Sequence, residues 1–288
     1  MQHSFTSHAD YKEFFSAYWP TIASIDRWAE SNEPGYPGYC APCQRFVELR
    51  VERNADFGEA TNLRETLSCP CGLSNRTRLL LTVLSQNARS GERVALFEHG
   101  SALAKRLQSD YRVSTSAYLG PSARSGEKCK HNGQSLVHQD MCKTSYDNDS
   151  FDVVIHNDCL EHIPDYLCAI EECQRILAPG GHMICTFPFF GQNRATKVRA
   201  RHDGDRIINL LPPEVHGDPM HPNGILAFYN FGWDIIDQIR SVFGNCSLEL
   251  IVDPLLGFLS NNCPAENMNM PPVVLVAKKR LTTERKSL

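Results

Sequence analysis

Residues 150–188 read SFDVVIHNDCLEHIPDYLCAIEECQRILAPGGHMICTFP, and the fold is decided in this stretch. Residues 151–156 form a short apolar run, the pattern of a buried strand. A polar loop follows at 157–162, and a helix opens behind Pro164. The turn Pro179-Gly180-Gly181 separates that helix from a second strand over 182–187. Strand, helix, strand at this length reads as one parallel unit of an α/β sheet. Its polar residues gather where the first strand ends, and open parallel sheets bind ligands at that carboxyl edge. Asn157, Asp158, Glu161 and His162 are therefore candidate site residues.

Several spaced elements go further than a generic unit. Residues 158–165 spell D-x-L-E-H-x-P-D, residues 175–181 spell R-x-L-x-P-G-G, and the second strand closes on Pro188. Together they resemble the central part of class I S-adenosylmethionine-dependent methyltransferases. The resemblance implies an α/β, Rossmann-like fold, with a seven-stranded sheet and helices on both faces, and S-adenosylmethionine as cofactor. It places a first strand at 93–98, a turn at 99–102, a helix at 103–110, a second strand at 111–118 and a third at 135–139. Residues 120–134 read as a polar loop between the last two. By the same resemblance Glu98, Gly100, Ser116, Tyr118, Asp140, Met141, Asn157, Asp158 and His162 line the cofactor. Two departures stand out. The family's glycine-rich turn is reduced to Gly100 followed by Ser101 and Ala102, and the second strand ends on Ser116, Ala117 and Tyr118, without the usual acid for the ribose.

With 288 residues there is room for one large α/β domain and a smaller appendage. The division expected is an N-terminal lobe over 1–90 and the methyltransferase domain over 91–288. A hydrophobic content of 42% is ordinary for a soluble protein, and a net charge of -4 gives no electrostatic footprint for nucleic acid. No apolar run reaches the roughly 18 residues that a membrane span requires. A cytoplasmic protein without membrane or nucleic-acid partners is the expectation. Its twelve cysteines then read as reduced thiols and metal ligands.

In the N-terminal lobe, Tyr11, Phe14, Phe15, Tyr18, Ile22, Ile25 and Trp28 recur at helical spacing, with Pro20 as a candidate break. Two close cysteine pairs follow, Cys40 with Cys43 and Cys69 with Cys71. Four thiolates can surround one tetrahedral ion, so a structural zinc site is expected, with residues 46–67 completing a small metal-bound lobe. Residues 73–88 read as a helix, with Arg76 and Arg78 on a solvated face.

Beyond the second strand lies a segment rich in His, Arg and Pro, 188–229, and a loop this long in a compact domain is usually functional. The resemblance makes it an acceptor-binding insertion. Histidine titrates near neutrality, so His216, His202 and His221 are the candidate general bases. His216 leads, because PEVHGDP sets it near Asp218. Arg199, Arg201, Asp218 and Trp233 are candidate acceptor contacts, although the arginines can equally pair with Asp203, Asp205 or Glu214 inside the insertion. A helix over 231–244, strands at 247–252 and 272–277, and a polar tail at 281–288 complete the chain.

The expectation is methyl transfer to a hydroxyl or amine of a small molecule, a sugar or secondary metabolite. One alternative is a ribosomal or transfer RNA base methyltransferase carrying a zinc lobe. The other is a non-catalytic cofactor-binding protein, motivated by the thinned glycine turn and the missing ribose acid.

Overall fold

The computed structural model describes residues 1–52, 62–204, 206–218, 220–259 and 271–281. The tail from 282 onward, residues 53–61 of the expected metal lobe, and Asp205 lie outside the described residues. By its internal packing the chain divides into two units, Met1–Asn87 with Phe189–Arg194 and Ser247–Val276, and Ala88–Pro188 with Ala195–Cys246 and Ala277–Leu288.

In the first unit β1 (Gln2–Phe5) leads through Ser7 into α1 (His8–Glu30). The Ser7 hydroxyl accepts from the Asp10 amide at 3.1 Å and caps the helix. α1 continues through Pro20, and its buried face differs from the expected one. Tyr11, Phe14, Phe15 and Ile22 are buried, but Tyr18 and Trp28 are exposed, because the stripe runs on through Asp26 and Ala29. β2 (Gly35–Cys40), β3 (Arg45–Val51) and β4 (Leu67–Ser68) pair antiparallel, with α2 (Leu63–Thr66) before β4 and α3 (Asn75–Asn87) after it. Tyr36, Leu49, Val51, Leu63, Leu67 and Leu259 form a core shared with Cys40 and Cys69.

Arg78 does not lie on a solvated face. Its side chain is fully buried, and it donates to the carbonyls of Leu256 at 2.7 Å and Gly257 at 2.9 Å. A rigid fork of donors suits two adjacent backbone carbonyls. Arg76 instead forks onto the Glu65 carboxylate at 2.8 and 3.0 Å.

The second unit opens with β5 (Arg93–Leu96), α4 (Ala102–Leu107) and β6 (Arg112–Thr115). The expected polar loop at 120–134 and third strand instead form a hairpin, β7 (Lys128–His131) and β8 (Gln134–Val137), outside the main sheet. Its turn is Asn132-Gly133, both with positive φ (48° and 77°), as a two-residue hairpin requires. Then come β9 (Phe151–Asn157), α5 (Tyr166–Ile176) and β10 (Leu177–Thr186). α5 is capped by the Asp165 carboxylate on the Cys168 amide, and it buries Tyr166, Ala169, Ile170, Cys173 and Ile176, one helical stripe. The Pro-Gly-Gly turn interrupts β10, whose register against β9 shifts between Leu177 and His182. A Cβ on Gly181 would stand 2.7 Å from the Asp152 carbonyl, so only glycine fits there.

The insertion is not featureless. It contains β11 (Lys197–Val198), β12 (Ala200–Asp203), β13 (Arg206–Asn209), β14 (Val215–His216), β15 (Ile225–Leu226) and β16 (Tyr229–Asn230). They pair as β11 with β16, β12 with β13, and β14 with β15. α6 (Asp234–Phe243) ends at Gly244, with φ 87°, and is followed by β17 (Asn245–Ile251) and β18 (Val274–Lys278).

The main sheet has seven strands in the order β1-β17-β18-β10-β9-β5-β6. It is a mixed α/β sheet of Rossmann-like type, as expected, although its seventh strand is residues 2–5 in place of 135–139. β10, β9, β5 and β6 are all parallel, with Thr186 opposite Asn157 and Leu96 opposite Ile155. The chain passes from β5 to β6 on one side and then to β9 on the other, so the order reverses between β5 and β9.

His156, on β9, is fully buried, and neither ring nitrogen has a hydrogen-bond partner among the described residues. Burial lowers its pKa to about 4. The unfolded chain therefore binds the extra proton first, and stability falls as pH drops from the ordinary histidine value towards that lowered one. At pH ~5 the loss is about 2 kcal/mol, and His156→Leu is expected to remove it, read as a smaller difference between the urea midpoints at neutral and acidic pH.

Candidate functional site

The reversal of strand order marks the carboxyl ends of β5 and β9 as the place where such sheets form a ligand crevice, and three candidate residues meet there. Glu98, just past β5, accepts from the Asn157 side-chain amide at 3.1 Å. Thr186, at the end of β10, donates to the Asp158 carboxylate at 2.9 Å, and the Asp158 amide donates to the Thr186 carbonyl at 2.9 Å. Asp158 itself has φ 46°, a left-handed conformation that aspartate tolerates better than most residues. The chain thereby turns sharply out of the sheet and leaves a carboxylate at its edge. Gly100, with φ 72°, makes the corresponding turn after β5, and Ser101 caps α4 by accepting from the Ala104 amide at 2.9 Å. His99 meets the Thr115 hydroxyl at 3.2 Å at the end of β6.

The remaining cofactor candidates are placed unequally. Ser116 is buried, whereas Tyr118 is 46% exposed with its ring 5.3 Å from that of His138. Asp140 caps its own turn, accepting from the Cys142 amide at 2.8 Å, beside a buried Met141. Residues 116–118, which follow β6, include no carboxylate.

A second cluster lies where the loop after β9 meets the insertion. Residues Leu160–His162 form a single 3-10 turn. The Phe228 amide donates to the Glu161 carbonyl at 2.7 Å, which ties this turn to the insertion. The Glu161 side chain is fully buried, with one carboxylate oxygen 3.7 Å from His162 Nε2 and 3.8 Å from His216 Nδ1. The two imidazole rings stand edge to face, 4.9 Å apart. On its far side His162 Nδ1 donates to the Leu226 carbonyl at 2.8 Å, and His216 Nε2 meets the Glu214 carboxylate at 3.0 Å. Burial lowers the pKa of His162. The hydrogen bond from His216, with the Arg199 charge, holds the Glu214 carboxyl below its usual range.

Glu214, not Asp218, orients His216. β14 is extended, and residues two apart in a strand share a face. Asp218 instead accepts from the His221 amide at 3.0 Å and faces His221 Nδ1 at 3.3 Å, a local turn. Arg199 is engaged within the insertion, 3.0 Å from Glu214 and 2.7 Å from the Pro212 carbonyl. Arg201 is exposed on β12, His202 stacks on Phe228 at 5.6 Å, and Trp233 is buried ahead of α6. The structure thus gathers Glu161, His162 and His216, and leaves Arg201, His202, His221 and Trp233 outside that cluster. Sequence reasoning missed the supporting partners Thr186 and Leu226, which carry no motif.

In the first unit Cys40 ends β2, Cys43 closes the next turn, and Cys69 and Cys71 flank a tight bend completed by Gly72. Their four sulfurs lie within 4.8 Å of one another, with Cys43 and Cys69 4.0 Å apart. Thiolates on a tetrahedral zinc stand about 3.8 Å apart, so the donor set fits that ion.

Comparison with known proteins adds sequence likeness to methyltransferases over part of the chain. Demethylmenaquinone methyltransferase of Staphylococcus haemolyticus is 41% identical over 73 residues, 23% of this chain and 30% of that protein. The Staphylococcus epidermidis protein of the same name is 41% identical over 63 residues, 20% of this chain and 26% of its own length. The chain therefore spans less than a third of these curated relatives. Among solved structures, the Burkholderia thailandensis 1,6-didemethyltoxoflavin-N1-methyltransferase aligns with a TM-score of 0.40 at 16% identity, over 71% of this chain and 78% of the other. The [4+2]-cyclase SpnF aligns with a TM-score of 0.41 at 15% identity, over 93% and 94%. Residues 100–185, which hold α4, the β9-to-β10 unit and the Asp158 turn, match the family described as a methyltransferase domain.

Proposed function

We propose that the chain transfers a methyl group from S-adenosylmethionine to a hydroxyl or amine of a small-molecule acceptor. The observation that carries this reading is the crevice between β5 and β9. There Glu98, Asn157 and Asp158 converge at the switch point of a parallel sheet, within or beside the segment that matches the methyltransferase domain. S-adenosylmethionine supplies a methyl already activated on a sulfonium. What remains for the protein is to orient an acceptor lone pair and exclude water. The crevice holds the cofactor, and the acceptor is handled at the Glu161, His162 and His216 cluster, with His216 the leading residue. The net charge of -4 supports a small acceptor over RNA.

The cofactor assignment is tested by titrating S-adenosylhomocysteine into Asp158→Ala and Asn157→Ala. Loss of one charge-assisted contact is expected to weaken binding about tenfold. His202→Ala, outside both clusters, is expected to bind normally. Equal binding by all of these variants would contradict the assignment.

The four cysteines hold a structural zinc that closes the small sheet of the first unit. Four thiolates leave no open coordination position, so this ion has no part in the chemistry. Cys43→Ser is expected to lower the zinc content by one ion per chain and to lower the thermal midpoint, measured by elemental analysis and calorimetry. An unchanged metal content would refute the site.

A further inference from the structure

We infer that Glu161, His162 and His216 form a second metal site, which binds one divalent transition ion and presents it to an oxygen of the acceptor. The inference deepens the proposed function, since the acceptor's place in it rests on that reading.

Donor and acceptor roles point to a cation. The Leu226 carbonyl can only accept, so the proton of His162 sits on Nδ1, and Nε2 turns a lone pair towards Glu161. The Glu214 carboxylate likewise accepts from His216 Nε2, so in the neutral ring Nδ1 turns its lone pair the same way. Two lone pairs and a fully buried carboxylate therefore converge. With both rings neutral, such a meeting of acceptors is repulsive unless a proton or a metal cation stands between them, and three converging ligand atoms suit the cation.

The distances suit an ion. Ligand atoms about 2.1 Å from a tetrahedral ion lie about 3.4 Å from one another. Glu161 stands 3.7 and 3.8 Å from the two nitrogens, and all three ligand atoms fall within 4.8 Å of one another. Closure by a few tenths of an ångström brings Glu161 to ligand distance from each nitrogen. These separations are too long for hydrogen bonds between this carboxylate and the two imidazoles.

The surroundings are those of metal-bound histidines, whose outer nitrogen donates to a carbonyl or a carboxylate. His162 does the first and His216 the second, and Arg199 holds that carboxylate in turn at 3.0 Å. Two histidines and one carboxylate favour zinc or iron(II) over magnesium, and three protein ligands leave a position open. An acceptor hydroxyl entering that position binds through oxygen, becomes more acidic and gives its proton to solvent.

Cobalt(II) is the probe that separates this site from the cysteines. Cobalt on thiolates shows strong sulfur charge-transfer absorption, whereas cobalt on nitrogen and oxygen shows only weaker ligand-field bands. Metal-free protein titrated with cobalt is expected to take two ions per chain, one of each kind. His216→Ala is expected to lose the second alone, Glu161→Gln to bind it at least about tenfold more weakly, and His202→Ala to keep it. A single ion of the sulfur kind in the unaltered protein, or undiminished second-site binding in His216→Ala, would overturn the inference. S-adenosylhomocysteine titrated into the same samples keeps the two readings apart. Cofactor binding without the second cobalt rejects the ion site alone, and the second cobalt without cofactor binding rejects the methyltransferase reading.

Discussion

Glu161→Gln is expected to lower methyl transfer by about 10²–10⁴-fold while leaving S-adenosylhomocysteine binding intact. The side chain is fully buried, its backbone is pinned by Phe228, and its carboxylate faces both imidazoles. The amide keeps the shape and removes the charge, so a loss of activity reports on the charge and not on packing. His216→Ala is expected to fall in the same range. Glu214→Ala should cost less, about 10–100-fold, because it acts only by orienting His216. The readout is label moved from methyl-labelled S-adenosylmethionine into a small-molecule extract, so the acceptor need not be identified beforehand. Equal activity in Glu161→Gln and the parent would remove the cluster from the mechanism.

The largest expected effect on stability is at Arg78. Arg78→Met deprives the Leu256 and Gly257 carbonyls of their donor inside the first unit. Hydrogen bonds to a charged group contribute about 1.5–3 kcal/mol each, so a loss of roughly 3–5 kcal/mol is expected from urea denaturation. The methionine no longer carries the desolvation cost of a buried charge, which keeps the loss below the simple sum. Burial lowers the pKa of the guanidinium, and the nearby Cys40, Cys69 and Cys71 oppose that by favouring its charged form. In the proposed site a zinc bound by four thiolates would carry net negative charge, which Arg78 is placed to offset. Weaker zinc retention in Arg78→Met is therefore part of the same expected result.

The central unit is legible in the sequence because strand, helix and turn each carry their own punctuation there. The apolar run before Asn157, the helix opening behind Pro164 and the Pro-Gly-Gly turn agree on one arrangement, and the parallel register then brings Asn157 and Thr186 to one edge. Other features are present in the sequence but obey a different rule from the one their surroundings suggest. Asn132-Gly133 is a strong two-residue hairpin signal, yet its polar neighbours read as a loop. Glu214 and His216 share a face once the segment is extended, whereas proximity in sequence points equally well to Asp218.

What the sequence does not announce depends on contacts far apart along the chain. Arg78 reaches carbonyls 178 and 179 residues further on, beyond any local pattern. β1 is four residues, QHSF, with no apolar alternation, and it is a strand only because β17 offers it an edge. The pairing of His162 with Leu226 spans 64 residues and joins the motif loop to the insertion. Local chemistry thus locates the crevice, and long-range pairing assembles the cluster beside it.

Cofactor binding is the claim on which the rest depends, and calorimetric titration of S-adenosylhomocysteine into the full chain tests it most directly. Saturable binding at one site per chain in the micromolar range is the expected result. Absence of binding up to millimolar ligand would contradict it.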